Sequence, residues 1–152
     1  MSESNDYKEL SVRLIERWQK ENLKLNTGAT EQELLAFEAH YALTLPEDFR
    51  YFYSLVNGMY DWDMDQLSFS LWPLARIQEN IGAVSTIQDG ILFSIEIIFG
   101  DYLINCWQYM LATNDRLNYF VQVTHEKSEI VAENFTEFLS KYLSMPDKIH
   151  LF

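Results

Sequence analysis

The residues whose types and spacing are best suited to chemistry lie in the run Met59-Tyr60-Asp61-Trp62-Asp63-Met64-Asp65. Alternate carboxylates converge on a hard cation in a calcium loop, and Asp61, Asp63 and Asp65 open like one. The pattern then fails, because Gln66 stands where the turn needs Gly and Trp72 where a bidentate Glu belongs. Other constellations are weaker. His40, His125 and His150 are scattered, with no H-E-x-x-H or C-x-x-C companion, so a tetrahedral zinc site has no support. The 5 glycines are never closer than eight residues, which excludes the G-x-G-x-x-G turn and the P-loop, and no G-x-S-x-G elbow is present. Cys106, in the apolar run Ile104-Asn105-Cys106-Trp107, reads as a buried and inert strand thiol. Two carboxylates for glycoside hydrolysis can be drawn from 23 acids in many ways, none marked by spacing. No catalytic residue, metal or cofactor is expected.

What remains is recognition. The loop mixes charge with large apolar groups, and two readings stand for it. In one it is a surface turn whose Trp62 tucks back onto the core. In the other Asp61, Trp62, Asp63 and Asp65 form a protein-binding edge, since aromatic anchors surrounded by charge are typical of interface hot spots. Glu47 and Asp48, at the start of a helix, join them as partner-binding candidates.

Charge decides what such an edge can hold. The 152 residues carry 11 bases against 23 acids, a formal net charge of -12. Affinity for nucleic acid comes mostly from Lys and Arg displacing counterions, so nucleic acid and anionic membrane surfaces are excluded as partners. Residues 1–26 are balanced at five acids and five bases, so the rest of the chain holds the whole excess. Between Thr27 and Gln66 eight acids face one base, Arg50. A basic protein partner fits that distribution. The single cysteine suits a reducing compartment, the first residues show no secretory signal, and no apolar stretch reaches the roughly 18 residues of a membrane span. A cytoplasmic protein is expected.

The elements that position these residues read as one α+β domain over 1–152. Tyr7, Leu10, Leu14 and Trp18 form the apolar stripe of a first helix, stopped at Asn26-Thr27-Gly28. Beside it run Arg13, Arg17, Lys20 and Lys24, with Glu9 to Arg13 and Glu16 to Lys20 expected as ion pairs. Thr30 and Glu33 form the capping box of a second helix, whose Leu34, Phe37 and Tyr41 face inward. Pro46 opens a third, with Phe49, Phe52, Tyr53 and Val56 as its buried face and Asn57-Gly58 as its stop. From Leu67 the period changes to two. Strands are expected at Leu67 to Leu71, Phe93 to Phe99, Leu103 to Leu111 and Tyr119 to His125, with a turn near Asn114-Asp115. Four such strands make a mainly antiparallel sheet, because only Pro73 to Asp89 is long enough for a helical crossover. A C-terminal helix capped by Asn134 carries Phe135, Phe138, Leu139, Tyr142 and Leu143.

The ordered run Thr27-Gly28-Ala29-Thr30, Leu34, Phe37-Glu38, Leu43, Leu45-Pro46-Glu47-Asp48-Phe49-Arg50, Phe52-Tyr53 and Asn57-Gly58 resembles the N-terminal signature of the SUKH superfamily. Ser70-Leu71-Trp72-Pro73-Leu74, Phe99-Gly100-Asp101-Tyr102 and the closing aromatic helix fit its later elements. That superfamily comprises bacterial toxin-immunity proteins and relatives of a fungal regulator of cell-wall synthesis. The resemblance implies an α+β fold and a binding role without catalysis. It points to a cytosolic immunity protein that blocks a basic, nuclease-like toxin domain, or alternatively to a regulatory scaffold for endogenous proteins. Within the signature, Glu38 is an acid on an apolar face, where it can satisfy backbone donors of the next loop.

Overall fold

Alternation of apolar and polar residues builds the centre of the molecule. In a computed structural model that describes residues 6–61, 63–79, 83–86, 93–115, 117–124 and 128–151, Ile95, Ile97 and Phe99 of strand β5 (Phe93–Tyr102) point into the core. So do Tyr109 and Leu111 of β6 (Trp107–Thr113) and Val121 and Val123 of β7 (Tyr119–Thr124). With β3 (Phe69–Leu71), β4 (Ala83–Thr86) and β8 (Ser128–Ala132) these form a six-stranded sheet in which every paired strand is antiparallel. The path runs β3-β5-β6-β7-β8. β5 is long enough to pair its first half with β4 and its last three residues with β3 along one edge. At the opposite edge, β8 slips register between Val121 and Gln122, and the bulged Val131 offers its carbonyl to the Lys141 ammonium at 2.9 Å.

The helices bury apolar side chains against this core. Helix α5 (Phe135–Ser144) lies on β7 and β8, and α1 (Asp6–Lys20) packs on α5 and on α3 (Glu47–Leu55). The seam is aromatic, with ring centroids at 5.0 Å for Phe49 and Phe135, 5.5 Å for Phe99 and Phe138, and 6.1 Å for Trp18 and Tyr142. The capping box at α2 (Glu31–Tyr41) forms as expected between Thr30 and Glu33, and Asn134 caps α5. A 3-10 turn (Pro146–Ile149) is fastened by the Tyr109 hydroxyl, which donates to the Ile149 carbonyl. No described helix is long and apolar enough to cross a membrane.

Several local expectations are corrected. The first helix ends at Lys20, with Asn22 left-handed, rather than at Asn26-Thr27-Gly28. Leu25–Thr27 instead forms β1, which pairs with β2 (Val56–Met59). Thus α3 stops at Leu55, Val56 leads off a strand, and Gly58 takes its positive φ of 77° inside β2. Long-range pairing overrides turn-forming composition at both places. The antiparallel reading holds even within Pro73 to Asp89, where the described residues form a short helix α4 (Leu74–Glu79) and β4, which pairs antiparallel with β5. Neither Glu9–Arg13 nor Glu16–Lys20 closes; the ion pairs among the described residues involve Arg50, Arg76, Lys141 and His150. His125 and Trp62 lie outside the described residues. Cys106 is exposed, because Leu103 to Cys106 is the turn of the β5–β6 hairpin and not the start of a strand.

Candidate partner-binding face

Asp65 is the centre from which the acidic segment is built. It is only 6% exposed. One carboxylate oxygen accepts from Trp18 Nε1 of α1 at 2.8 Å, and the other from the backbone N–H groups of Leu67 and Phe69 at 2.8 and 3.0 Å. Its own N–H donates to the Phe69 carbonyl, and its carbonyl accepts from Ser68 N–H. Glu21, just past α1, accepts from Gln66 N–H at 2.9 Å. Desolvation pushes the Asp65 carboxyl up to about 6 against the pull of those three donors. The side chain therefore ties the β2–β3 loop to α1 and presents nothing outward, and with its lone pairs committed inward it does not converge on a cation with Asp61 and Asp63. Among the described residues no group of three acids, histidines or cysteines is disposed to hold a metal.

The rest of the segment does face solvent. Asp61 and Tyr60 are exposed, Asp63 is half-buried, and a turn hydrogen bond from Asp63 N–H to the Tyr60 carbonyl at 3.1 Å closes this bend. Beside it, Asp63 and Met64 share a small cleft with Ser70, Arg76, Asp101 and Ile104. Asp101 is buried and accepts from Trp72 Nε1 at 2.7 Å, while Arg76 lies 3.7 Å from it and 4.1 Å over the Trp72 ring. Arg76 thus joins α4 to β5 and to Trp72, the residue after β3, and lines both this cleft and a second one with Glu79, Asn105 and Gln108.

The helix-start acids make contacts of their own. Asp48 accepts from the Thr136 N–H at 2.9 Å and hydroxyl at 2.8 Å, tying α3 to the first turn of α5. Glu47 accepts from the Tyr7 hydroxyl at 2.7 Å, a bond that pushes the phenol up to about 12. Of the six residues singled out in the sequence, Asp61 and Glu47 are exposed, Asp63 and Asp48 are half-buried, Asp65 is buried, and Trp62 lies outside the described residues. Glu38 behaves as anticipated: its carboxylate accepts from Leu45 N–H at 2.7 Å and lies 3.3 Å from Arg50 Nε.

Sequence reasoning missed the hairpin beside this loop. Leu103, Ile104 and Asn105 have φ of 49°, 52° and 65°, three left-handed residues in a row, none of them glycine. Leu103 N–H donates to the carbonyl of Ser68, itself left-handed, so the tip is fastened to the stretch that Asp65 organises. Leu and Ile in sequence read as strand, which concealed the turn.

Comparison with known proteins supplies a family. The model of the SMI1 / KNR4 family (SUKH-1) matches residues 28–141, most of the chain and every element from α2 to the last turns of α5. No curated protein matches it.

Proposed function

We propose, on the premise that this chain belongs to the SMI1 / KNR4 family (SUKH-1), that it is an immunity protein which binds a basic toxin domain, foremost a nuclease-type one, and blocks its active site. A nuclease groove must be basic to hold phosphate, and an acidic protein occupies such a groove as a decoy. The observation that carries this reading is the bracing of the acidic segment. Asp61 and Asp63 stand on a loop whose base is locked by buried Asp65, so their charges are held in one place before a partner arrives. Preplaced charge of one sign speeds encounter with the opposite sign, and fixed geometry lowers the ordering cost of the complex. The protein acts without catalysis and in the cytoplasm, where its one exposed thiol stays reduced.

Co-expression with basic toxin domains tests the role. Cells should survive, and toxin and inhibitor should co-purify in equal amounts with the toxin chemically unaltered. Failure of every toxin domain to be neutralised refutes immunity and leaves regulatory binding. The double substitution Asp61→Lys/Asp63→Lys should slow association about tenfold or more at low salt with the melting temperature nearly unchanged. An unaltered rate refutes this face. Asp65 is left out of that reversal because a buried lysine there would unfold the loop rather than report on binding.

A further inference from the structure

We infer that the tip of the β5–β6 hairpin, Leu103 and Ile104, is the apolar anchor of the complex, inserting into a pocket that a basic partner protein surrounds with Lys and Arg. This rests on the binding reading above and adds which residues hold the partner once charge has brought it in. A left-handed conformation costs about 1–2 kcal/mol for each non-glycine residue, and a β-branched one such as Ile104 is a true outlier. Hairpin turns that serve folding alone place Gly or Asn at such positions. Here the strained side chains do not serve the core: Leu103 is 44% and Ile104 49% exposed. Strain persists where the surroundings over-determine it, and such sites cluster at ligand clamps.

The tip is also preorganised. Its base is closed by Cys106 N–H donating to the Tyr102 carbonyl at 3.0 Å, and the Tyr102 and Trp107 rings lie 5.1 Å apart beneath it. Leu103 N–H holds the Ser68 carbonyl at 2.9 Å. Apolar groups fixed before contact lose little freedom on burial, so more of their transfer energy goes into residence time. Ile104 shares its cleft with Asp63, Met64 and Arg76; Arg76 is turned onto buried Asp101 and the Trp72 ring, which leaves Asp63 as the acid beside the apolar tip. The complement is a protein pocket with a basic rim. A second copy of this chain would bring a net charge of -12 against the same sign and is disfavoured.

The test presents wild type, Leu103→Ser/Ile104→Ser and Asp61→Lys/Asp63→Lys to a panel of purified, active-site-inactivated basic toxin domains, each variant first checked by thermal melting. Alkylation of Cys106, the one thiol and part of the tip, is followed in the wild-type complex and needs no substitution. The inference expects the serine variant to associate within about twofold of wild type and to dissociate about tenfold faster or more, with Cys106 alkylation slowed by the partner. An unchanged dissociation rate with Cys106 alkylated as fast as in the free chain overturns the anchor and leaves the binding reading intact. Capture of no domain by wild type overturns both.

Discussion

Asp65 carries a burial cost that its neighbours only partly offset. Burial raises its carboxyl to about 6, with Glu21 adding to the rise, while Phe69 N–H, Trp18 Nε1 and Leu67 N–H oppose it. Because the folded pKa lies above the unfolded one, the folded state holds this proton more tightly between roughly pH 4 and 6. The group's favourable contribution is therefore full below about pH 4 and is lost as pH rises through 6. The unfolding free energy of wild type minus that of Asp65→Asn should fall across that window by roughly 2–3 kcal/mol, measured by urea titration at both ends. A pH-independent difference refutes the assignment. Asp65→Ala, which leaves the Trp18 and two backbone donors without their acceptor, should cost about 3 kcal/mol or more. Glu38→Ala should cost about 2 kcal/mol by the same measurement, and Glu38→Gln, which keeps an acceptor for Leu45 N–H, less. Glu38 was legible because its partners lie in the next loop and an acid on an apolar stripe stands out. Asp65 was not, because its alternation with Asp61 and Asp63 reads as one exposed set, and the donor that claims it, Trp18, lies 47 residues away.

Helices announced themselves through caps and stripes, and the long strands through alternation; the short strands did not. β1 and β2 are only three and four residues long and carry turn-favouring Asn26 and Asn57-Gly58, so their mutual pairing, not local preference, makes them strands. β8 begins with Ser128, Glu129 and Ile130, all exposed, so no alternation marks it. Gly58 shows what such pairing requires: at φ 77° an added Cβ would stand 2.3 Å from Pro73 N, where β2 passes the chain leaving β3. Gly58→Ala should lower stability by about 2 kcal/mol or more, a drop in melting midpoint of several degrees, because backbone on both sides must shift. The hairpin tip should respond in the opposite direction. Ile104→Asn places a residue tolerant of the left-handed region at φ 52°, and its melting temperature should match or exceed that of wild type. A clear loss of stability would show that Ile104 is held for packing rather than for presentation.

Across the whole molecule, the net charge of -12 is not all free at the surface. Several acids are committed internally: Asp65 and Asp101 to tryptophan indoles, Asp48 to α5, and Glu38 to the Leu45 loop. Asp115 is tied to its own turn, where backbone donors from Asn118 and Leu117 hold its carboxyl well below the usual range. In the proposed role, steering falls to acids such as Asp61 and Asp63. Association with a basic partner should slow about tenfold between low salt and 0.5 M salt while dissociation changes little, as stopped-flow and dilution experiments can separate. A salt-insensitive association rate would remove electrostatic steering from the account. One detail at the far side of the sheet bears on life in a crowded cell. The Lys141 ammonium on the bulged Val131 carbonyl places a cation and a bulge on the edge strand β8, two devices that discourage pairing with an incoming strand. A single flexible cation thus guards this edge, and Lys141→Gln, which removes it, should raise the rate of aggregation seen by light scattering while leaving the proposed partner-binding face untouched.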